Sequence, residues 1–182
     1  MKYFKKIVGK RLYLSPINLE DVETYTKWIN DLEISVNLGN ADGIYSIQKE
    51  KEALEKINKE GYNFALIDLK KDKLIGNCGL LNVDMKNRVA EIGILIGNRK
   101  YWDKGYGKEG MELVLDYAFN ILNLNNVMLK VYDFNKRAIK CYKKVGFKLV
   151  GKRRNAYQIG KKKYDEVYMD ILANEFEGDI SI

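Results

Sequence analysis

The chain has 182 residues and a mass of 21.1 kDa, with 46% hydrophobic and 31% charged residues. That is the balance of an ordinary globular domain, one that folds without disulfide or metal. There is no histidine, which excludes Ser-His-Asp and Cys-His catalysis, HExxH sites and His-ligated zinc. Cys78 and Cys141, the only cysteines, cannot build a Cys-rich metal site, so no metal is expected. The formal charge of +7 and pI near 9.2 favour a polyanionic partner: nucleic acid, an anionic membrane surface or a phosphate-rich cofactor. No apolar run approaches the roughly 18 residues of a membrane span. The start, Met1 to Lys6, lacks the apolar stretch of a signal peptide, so the expected location is cytoplasmic.

Lys10 to Ser15 alternates polar with apolar residues, a strand ended by Pro16. Asn18 caps a helix to about Ile29, with Leu19, Val22, Tyr25 and Ile29 on one face. Asp31 to Tyr45 lacks a sustained period and contains Gly39, Asn40, Asp42 and Gly43, which reads as a long loop. A second helix runs from Ser46 through Lys59 and ends at Gly61. Tyr62–Asp68 and Leu74–Val83 are apolar strands joined by a lysine-rich turn, and Val89–Ile96 is the next strand.

Gly97 to Gly107 is then rich in glycine and cations. A strongly amphipathic helix follows, carrying Met111, Val114, Leu115, Ala118, Ile121 and Leu122. Val127–Val131 is a strand and Lys136–Val145 a short helix stopped by Gly146. Phe147–Ile159 and Lys163–Leu172 form a closing hairpin around Gly160, and an acidic tail from Asn174 is expected to fray. This order is α+β: a mixed, largely antiparallel sheet flanked by about four helices, with a central β-α-β unit from Val89 to Val131. A single domain is expected, with its core at about 8–173 and a tail at 174–182.

Ligands tend to bind at the carboxyl ends of such crossover strands. There lies Trp102-Asp103-Lys104-Gly105-Tyr106-Gly107-Lys108, between a strand and a helix. Its glycines allow positive φ and close approach to the backbone. The first N–H groups of a helix lack intrahelical partners and sit at the positive end of its dipole, where an anion binds. Lys104 and Lys108 would add charge. The spacing is not GxxxxGK[ST], and GxGxxG fails because Met111 and Glu112 follow Gly110, which argues against nucleotide hydrolysis and hydride transfer. Read alone, the segment is also compatible with a turn that only lets the helix pack.

A second segment, Asn135 to Phe147, reads NxxAxxxYxxxGF at Asn135, Ala138, Tyr142, Gly146 and Phe147. Together with Gly105 and Gly107 it resembles the GNAT superfamily of N-acetyltransferases, from about Arg11 to Leu172. Trp102 stands where most of that superfamily has Gln or Arg, and Tyr101 to Gly107 resembles the RimJ/RimL-type branch. The chain is also similar to bacterial spermidine and amino-sugar acetyltransferases. The resemblance implies acetyl-CoA as co-substrate, its diphosphate held by Trp102, Asp103, Lys104, Gly105, Tyr106, Gly107 and Lys108. It implies a pantetheine arm paired along Ile94, Leu95, Ile96 and Gly97 like an added strand, and further cofactor contacts from Asn135, Ala138 and Tyr142.

The implied reaction is direct attack of a primary amine on the thioester in a ternary complex, with Tyr142 as the acid that protonates the leaving thiolate. An alkylammonium with pKa about 10.4 is nucleophilic in only about one molecule in 10³ at pH 7, so a base or water chain must help. Among the carboxylates Glu91 is chosen. Some relatives place a glutamate five residues before the asparagine, but that position is Lys130 here. Nothing marks Cys141 as an activated nucleophile, and Cys78 reads as core.

Trp28, Asp31, Glu33, Tyr45, Tyr157 and Tyr164 are candidates to line the acceptor pocket. The acceptor is a protein N-terminus or a small amine; Asp31 and Glu33 suit a polyamine, and an amino sugar stays open. A non-catalytic acyl-CoA or nucleic-acid-binding module is the alternative of another class, with only Lys152-Arg153-Arg154 and Lys161-Lys162-Lys163 behind it. No RNP, zinc or helix-turn-helix pattern accompanies them, so nucleic acid is not expected as a partner. The resemblance is compatible with a homodimer, and no membrane partner is expected.

Overall fold

The alternating segment after Lys10 becomes a strand in the computed structural model, which describes residues 2–178. The elements are β1 (Ile7–Val8), β2 (Leu12–Pro16), α1 (Val22–Ile29), α2 (Leu32–Leu38), α3 (Ile47–Glu60), β3 (Asn63–Asp68), β4 (Lys73–Asp84), β5 (Val89–Ile96), α4 (Tyr106–Asp116), β6 (Asn126–Tyr132), α5 (Lys136–Val145), β7 (Lys148–Ile159) and β8 (Lys162–Leu172). The strand order is β1-β2-β3-β4-β5-β6-β8-β7. The β5–β6 pair is parallel, and the other registered pairs are antiparallel, the mixed α+β sheet that the sequence implies.

The chain divides into two compact units, Met1–Gly79 with Ile94–Leu113, and Leu80–Gly93 with Val114–Ile182. In the first, β2 pairs with β3 (Tyr13↔Ile67) and β3 with β4 (Phe64↔Cys78). One side chain layer collects Tyr13, Tyr25, Trp28, Ile34, Leu54 and Ile67, which places α1, α2 and α3 against that face. Near Gly110 of α4 a Cβ would meet Leu66 at 3.1 Å, so glycine lets the helix approach β3 closely.

In the second unit, β6 pairs in parallel with β5 over Val89–Glu91 and antiparallel with β8 (Leu129↔Met169). Val127, Leu129 and Val131 alternate inward with Val167, Met169 and Ile171, joined by Val114, Leu115 and Ala118 from the helix that the period of the sequence identifies. That helix widens into a π-helical turn at Tyr117–Ile121 before it stops. Cys78 is fully buried, as a core residue should be, and Cys141 is half-buried.

Two expectations need correction. The stretch Asp31 to Tyr45 is not all loop: Leu32–Leu38 is helical, with the Asp31 carboxylate accepting from the Glu33 N–H and Gly39 closing the end at φ +76°. With that helix the described residues hold five α-helices, in keeping with the flanking helices expected. The tail from Asn174 is held rather than frayed where it is described. Ala173–Glu175 makes a 3-10 turn, Glu175 pairs with Lys148 at 2.5 Å, and the Phe176 ring lies 5.5 Å from Phe119. Residues 179–182 of the expected tail lie outside the described residues.

Candidate acetyl-CoA and acceptor site

The loop after β5 is built by hydrogen bonds that the chain supplies to itself. Asn98 caps a 3-10 turn at Arg99–Tyr101, its side chain accepting from the Lys100 N–H. The Trp102 indole N–H donates to the Ile96 carbonyl at 2.6 Å, folding the loop back on the strand end. Asp103 and Gly105 then take positive φ, +57° and +82°, and α4 starts at Tyr106. The Tyr106 hydroxyl donates to Asp68 at 3.3 Å while its ring meets Tyr101 edge-on at 4.9 Å. Burial and the Asp68 carboxylate push the Tyr106 phenol above its ordinary pKa, so it stays a neutral donor.

Arg11 is the residue that sequence reasoning missed. Its backbone N–H and its Nε each donate to Glu109 at 2.7 Å, and its Nη1 donates to the Lys104 carbonyl at 2.5 Å. The guanidinium lies 5.0 Å from the Tyr106 ring centre. A Cβ on Gly105 would come within 2.9 Å of Arg11 Nη2. Glu109, almost buried in the first turn of α4, is thereby fixed and its charge matched. Nothing in the pattern around Arg11 signals this, because its partners are about a hundred residues away.

The expected extra charge from two lysines is partly spent. Lys108 forms an i,i+4 ion pair with Glu112, and Lys104 donates to the Lys100 carbonyl at 2.8 Å. What faces a ligand is the helix start itself: main-chain donors at the positive dipole end, beside a left-handed glycine and an arginine. A diphosphate fits that combination.

Gly97 is closely packed on its Cα side: a Cβ there would fall inside the Trp28 indole. Trp28 is itself 8% exposed and packs edge-on against Tyr25 at 5.4 Å. It is a wall of the core beside the strand end. Ile94, Leu95 and Ile96 lie past Glu91, where the register between β5 and β6 ends.

The remaining acceptor candidates fall into separate groups. Arg99 forms ion pairs with both Asp31 and Glu33, and its hydrogen bond holds the Asp31 carboxyl below the usual carboxylate range. Tyr45 is docked on Asn30, whose amide donates to the Tyr45 carbonyl at 2.8 Å, and Lys49 sits 4.2 Å over its ring. A shallow groove along α1 is lined by Glu23, Thr26, Lys27, Asn30, Asp31 and Ile47.

In the second unit, Tyr157 stacks on Tyr132 at 4.3 Å, Tyr132 on Phe134 at 5.7 Å, and Tyr164 meets Phe134 edge-on at 4.7 Å. Tyr132 and Phe134 were not singled out from the sequence, although two aromatics directly before Asn135 are a readable signal. Burial first, then the Glu166 carboxylate, raises the Tyr132 phenol above its ordinary pKa.

Glu91 is not a bare carboxylate. It forms an ion pair with Lys130 at 3.0 Å and accepts from the Asn82 amide at 3.0 Å. The hydrogen bond to Glu91 raises the Lys130 pKa, so the lysine stays a cation near neutral pH. Asn135 caps α5, its Oδ1 accepting from the Ala138 N–H at 3.1 Å. Tyr142 is half-buried, its ring 6.2 Å from Phe147, and its carbonyl accepts from the N–H groups of Gly146 and Phe147 at 3.2 and 3.1 Å. That closure, with Gly146 at φ +116°, explains why the motif ends in Gly-Phe. No cluster of metal-ligating side chains occurs among the described residues, and none of the described helices is long and apolar enough to cross a membrane.

This architecture, a parallel strand-helix-strand unit with a donor-rich loop ahead of its helix, is that of an acetyl-CoA-dependent N-acetyltransferase. The chain belongs to the family described as the acetyltransferase (GNAT) domain, whose model matches residues 11–148. Over 175 residues it is 30% identical to the uncharacterized N-acetyltransferase p20 of Bacillus licheniformis, covering 93% of this chain and 97% of that one. It is 29% identical over 158 residues to the spermidine N(1)-acetyltransferase of Vibrio cholerae, covering 80% and 90%. A crystal structure of a spermidine N-acetyltransferase from Vibrio cholerae, in complex with CoA and spermine, superposes with a TM-score of 0.82 at 25% identity, covering 92% and 98%. The protein is therefore an N-acetyltransferase, and acetyl-CoA is its acetyl donor.

Proposed function

We propose that the enzyme is a single acetyltransferase domain that transfers the acetyl group to a primary amine by direct attack within a ternary complex. The loop geometry carries this reading: an anion-binding helix start, braced by Arg11, at the end of the crossover strand. Gly105, Gly107 and their neighbours from Trp102 to Lys108 hold the diphosphate. Ile94 to Gly97 offer main-chain groups to the pantetheine arm, and Asn135 and Ala138 complete the grip. Tyr142 gives its phenolic proton to the leaving thiolate. Glu91 takes a proton from the incoming ammonium through water, which frees the amine to attack, and Lys130 holds the carboxylate in place.

Of the two acceptor classes, a protein N-terminus is favoured by charge. The carboxylates that would attract a polycation, Asp31 and Glu33, are both engaged by Arg99, and Glu91 is engaged by Lys130. Tyr157 and Tyr164, beside Phe134, supply apolar walls for a peptide side chain. A polyamine is the second reading, supported by the likeness to the Vibrio cholerae spermidine enzyme. The deciding experiment is acetyl-CoA-dependent thiol release, screened across N-terminal peptides, polyamines, amino sugars and free amino acids. Turnover confined to polyamines would reverse the order of the two readings, and no turnover with any amine would sink the proposal.

A further inference from the structure

The positive charge of this protein is concentrated in one stretch. Of its 32 cations, twelve lie between Lys136 and Tyr164, where there is no Asp or Glu. The other 153 residues hold 20 cations against 25 acids. The whole net charge therefore comes from α5, β7 and the turn into β8. On α5, Lys136, Arg137, Lys140, Lys143 and Lys144 are exposed, while Ala138, Ile139, Tyr142 and Val145 are less so. Lys152, Arg153 and Arg154 are exposed along β7, as are Lys161, Lys162 and Lys163 at the turn.

Two ordinary explanations fall short. β7 is the last strand of the sheet, and edge strands commonly carry lysine to discourage pairing with other chains. That accounts for cations on β7 but not for five on a helix, one on the turn and two at the start of β8. A solvated surface normally mixes both signs; here no acid lies between Lys136 and Tyr164, and acids reach these cations from β8 and beyond, where Arg153 stands opposite Glu166, Lys148 opposite Asp170, and Lys148 pairs with Glu175. The long strand adds geometry. Its twelve residues extend ~40 Å, with same-side side chains ~6.7 Å apart, a repeat close to the phosphate spacing of a stretched-out single strand. Register shifts between Arg153 and Tyr157, with Asn155 at φ +52°, bow the strand beside Arg154.

We propose that this basic surface holds a single-stranded nucleic acid by its phosphate backbone. It is a second binding function, independent of the acetyl-transfer reading, and the hairpin cations take no part in that chemistry. Each Lys or Arg that neutralises a phosphate releases a counterion, so affinity depends steeply on salt. With about five phosphates engaged, binding to a single strand weakens by about 10²-fold between 50 and 200 mM salt.

The test is fluorescence anisotropy with a labelled 20-nucleotide single-stranded RNA, a DNA of the same sequence and the RNA duplex. The expected result is tighter binding of the single strands, with that salt dependence. The variant K152E/R154E/K161E/K163E should abolish binding while keeping the wild-type melting temperature and acetyl-CoA thermal shift. The neutral variant K161Q/K163Q should lower the log–log salt slope by ~0.7 per contact removed. Undiminished affinity in the charge-reversal variant overturns the proposal. So does displacement of the RNA by saturating acetyl-CoA, since its phosphates would then be occupying the coenzyme loop. Capture on phosphatidylserine vesicles with no binding of RNA would assign the surface to a membrane instead, with exposed Leu149 and Val150 as its anchors.

Discussion

Glu91 and Lys130 form an ion pair at 3.0 Å, one on β5 and the other on the strand that runs parallel to it. The pair sets a carboxylate and an ammonium side by side on adjacent parallel strands. Glu91→Gln should lower kcat by about 10²-fold, the loss of a general base. Lys130→Met removes the ion-pair partner that positions the carboxylate, and should lower kcat by less than Glu91→Gln does. Unchanged kcat in both variants would assign proton removal to water.

Tyr142→Phe keeps the ring against Phe147 and removes only the hydroxyl. We expect kcat to fall by about 10²-fold, with the coenzyme thermal shift unaltered. Wild-type turnover in this variant would show that the thiolate leaves without that proton.

Gly105→Ala combines a left-handed backbone with a collision at Arg11. The conformation alone costs about 1 kcal/mol, and moving the guanidinium disturbs the contact with the Lys104 carbonyl. The melting temperature should fall by a few degrees, and the acetyl-CoA thermal shift should shrink more than it does in Gly61→Ala, a left-handed glycine with open space around it. Equal shifts in both variants would separate the loop from coenzyme binding.

Gly97→Ala should destabilise the fold by about 1–3 kcal/mol, because the new methyl enters the Trp28 ring. In a Trp28→Leu background the penalty should drop by at least half, measured by a double-mutant cycle in urea. Additive losses would mean that the two residues do not compete for the same space.

The Asp31–Arg99 pair predicts a pH dependence of known sign. The folded pKa of Asp31 lies below its unfolded value, chiefly through the hydrogen bond from Arg99. Its contribution to stability is therefore complete above the unfolded pKa of about 3.9 and is lost as pH falls through the lower folded value. The melting-temperature gap between wild type and Arg99→Leu should be constant from pH 8 to about 5 and close below about 4. A gap that does not narrow at all as the pH falls below about 4 would exclude this pair as its source.

Long periodic segments were legible in the sequence because a buried face imposes its spacing on many residues; the helix carrying Met111, Val114, Leu115 and Ala118 is the clearest. Leu32–Leu38 escaped because seven residues give less than two full repeats, although its Asp31 cap and Gly39 stop were both in view. Ile7–Val8 is too short to alternate. At the candidate site, glycines, Asn135 and Tyr142 belong to a local pattern and could be read. Arg11, Glu109 and the Trp102 bond to Ile96 could not, because each depends on residues brought together only by folding.

The tie between Arg11 and Glu109 means that the coenzyme loop is not a portable cassette. Its curvature is specified by a residue more than 90 positions earlier in the chain, so transplanting residues 98–110 into another scaffold would carry the ligand-facing letters without the brace that shapes them. Drift at either member of the pair should be tolerated only when its counterpart changes in step.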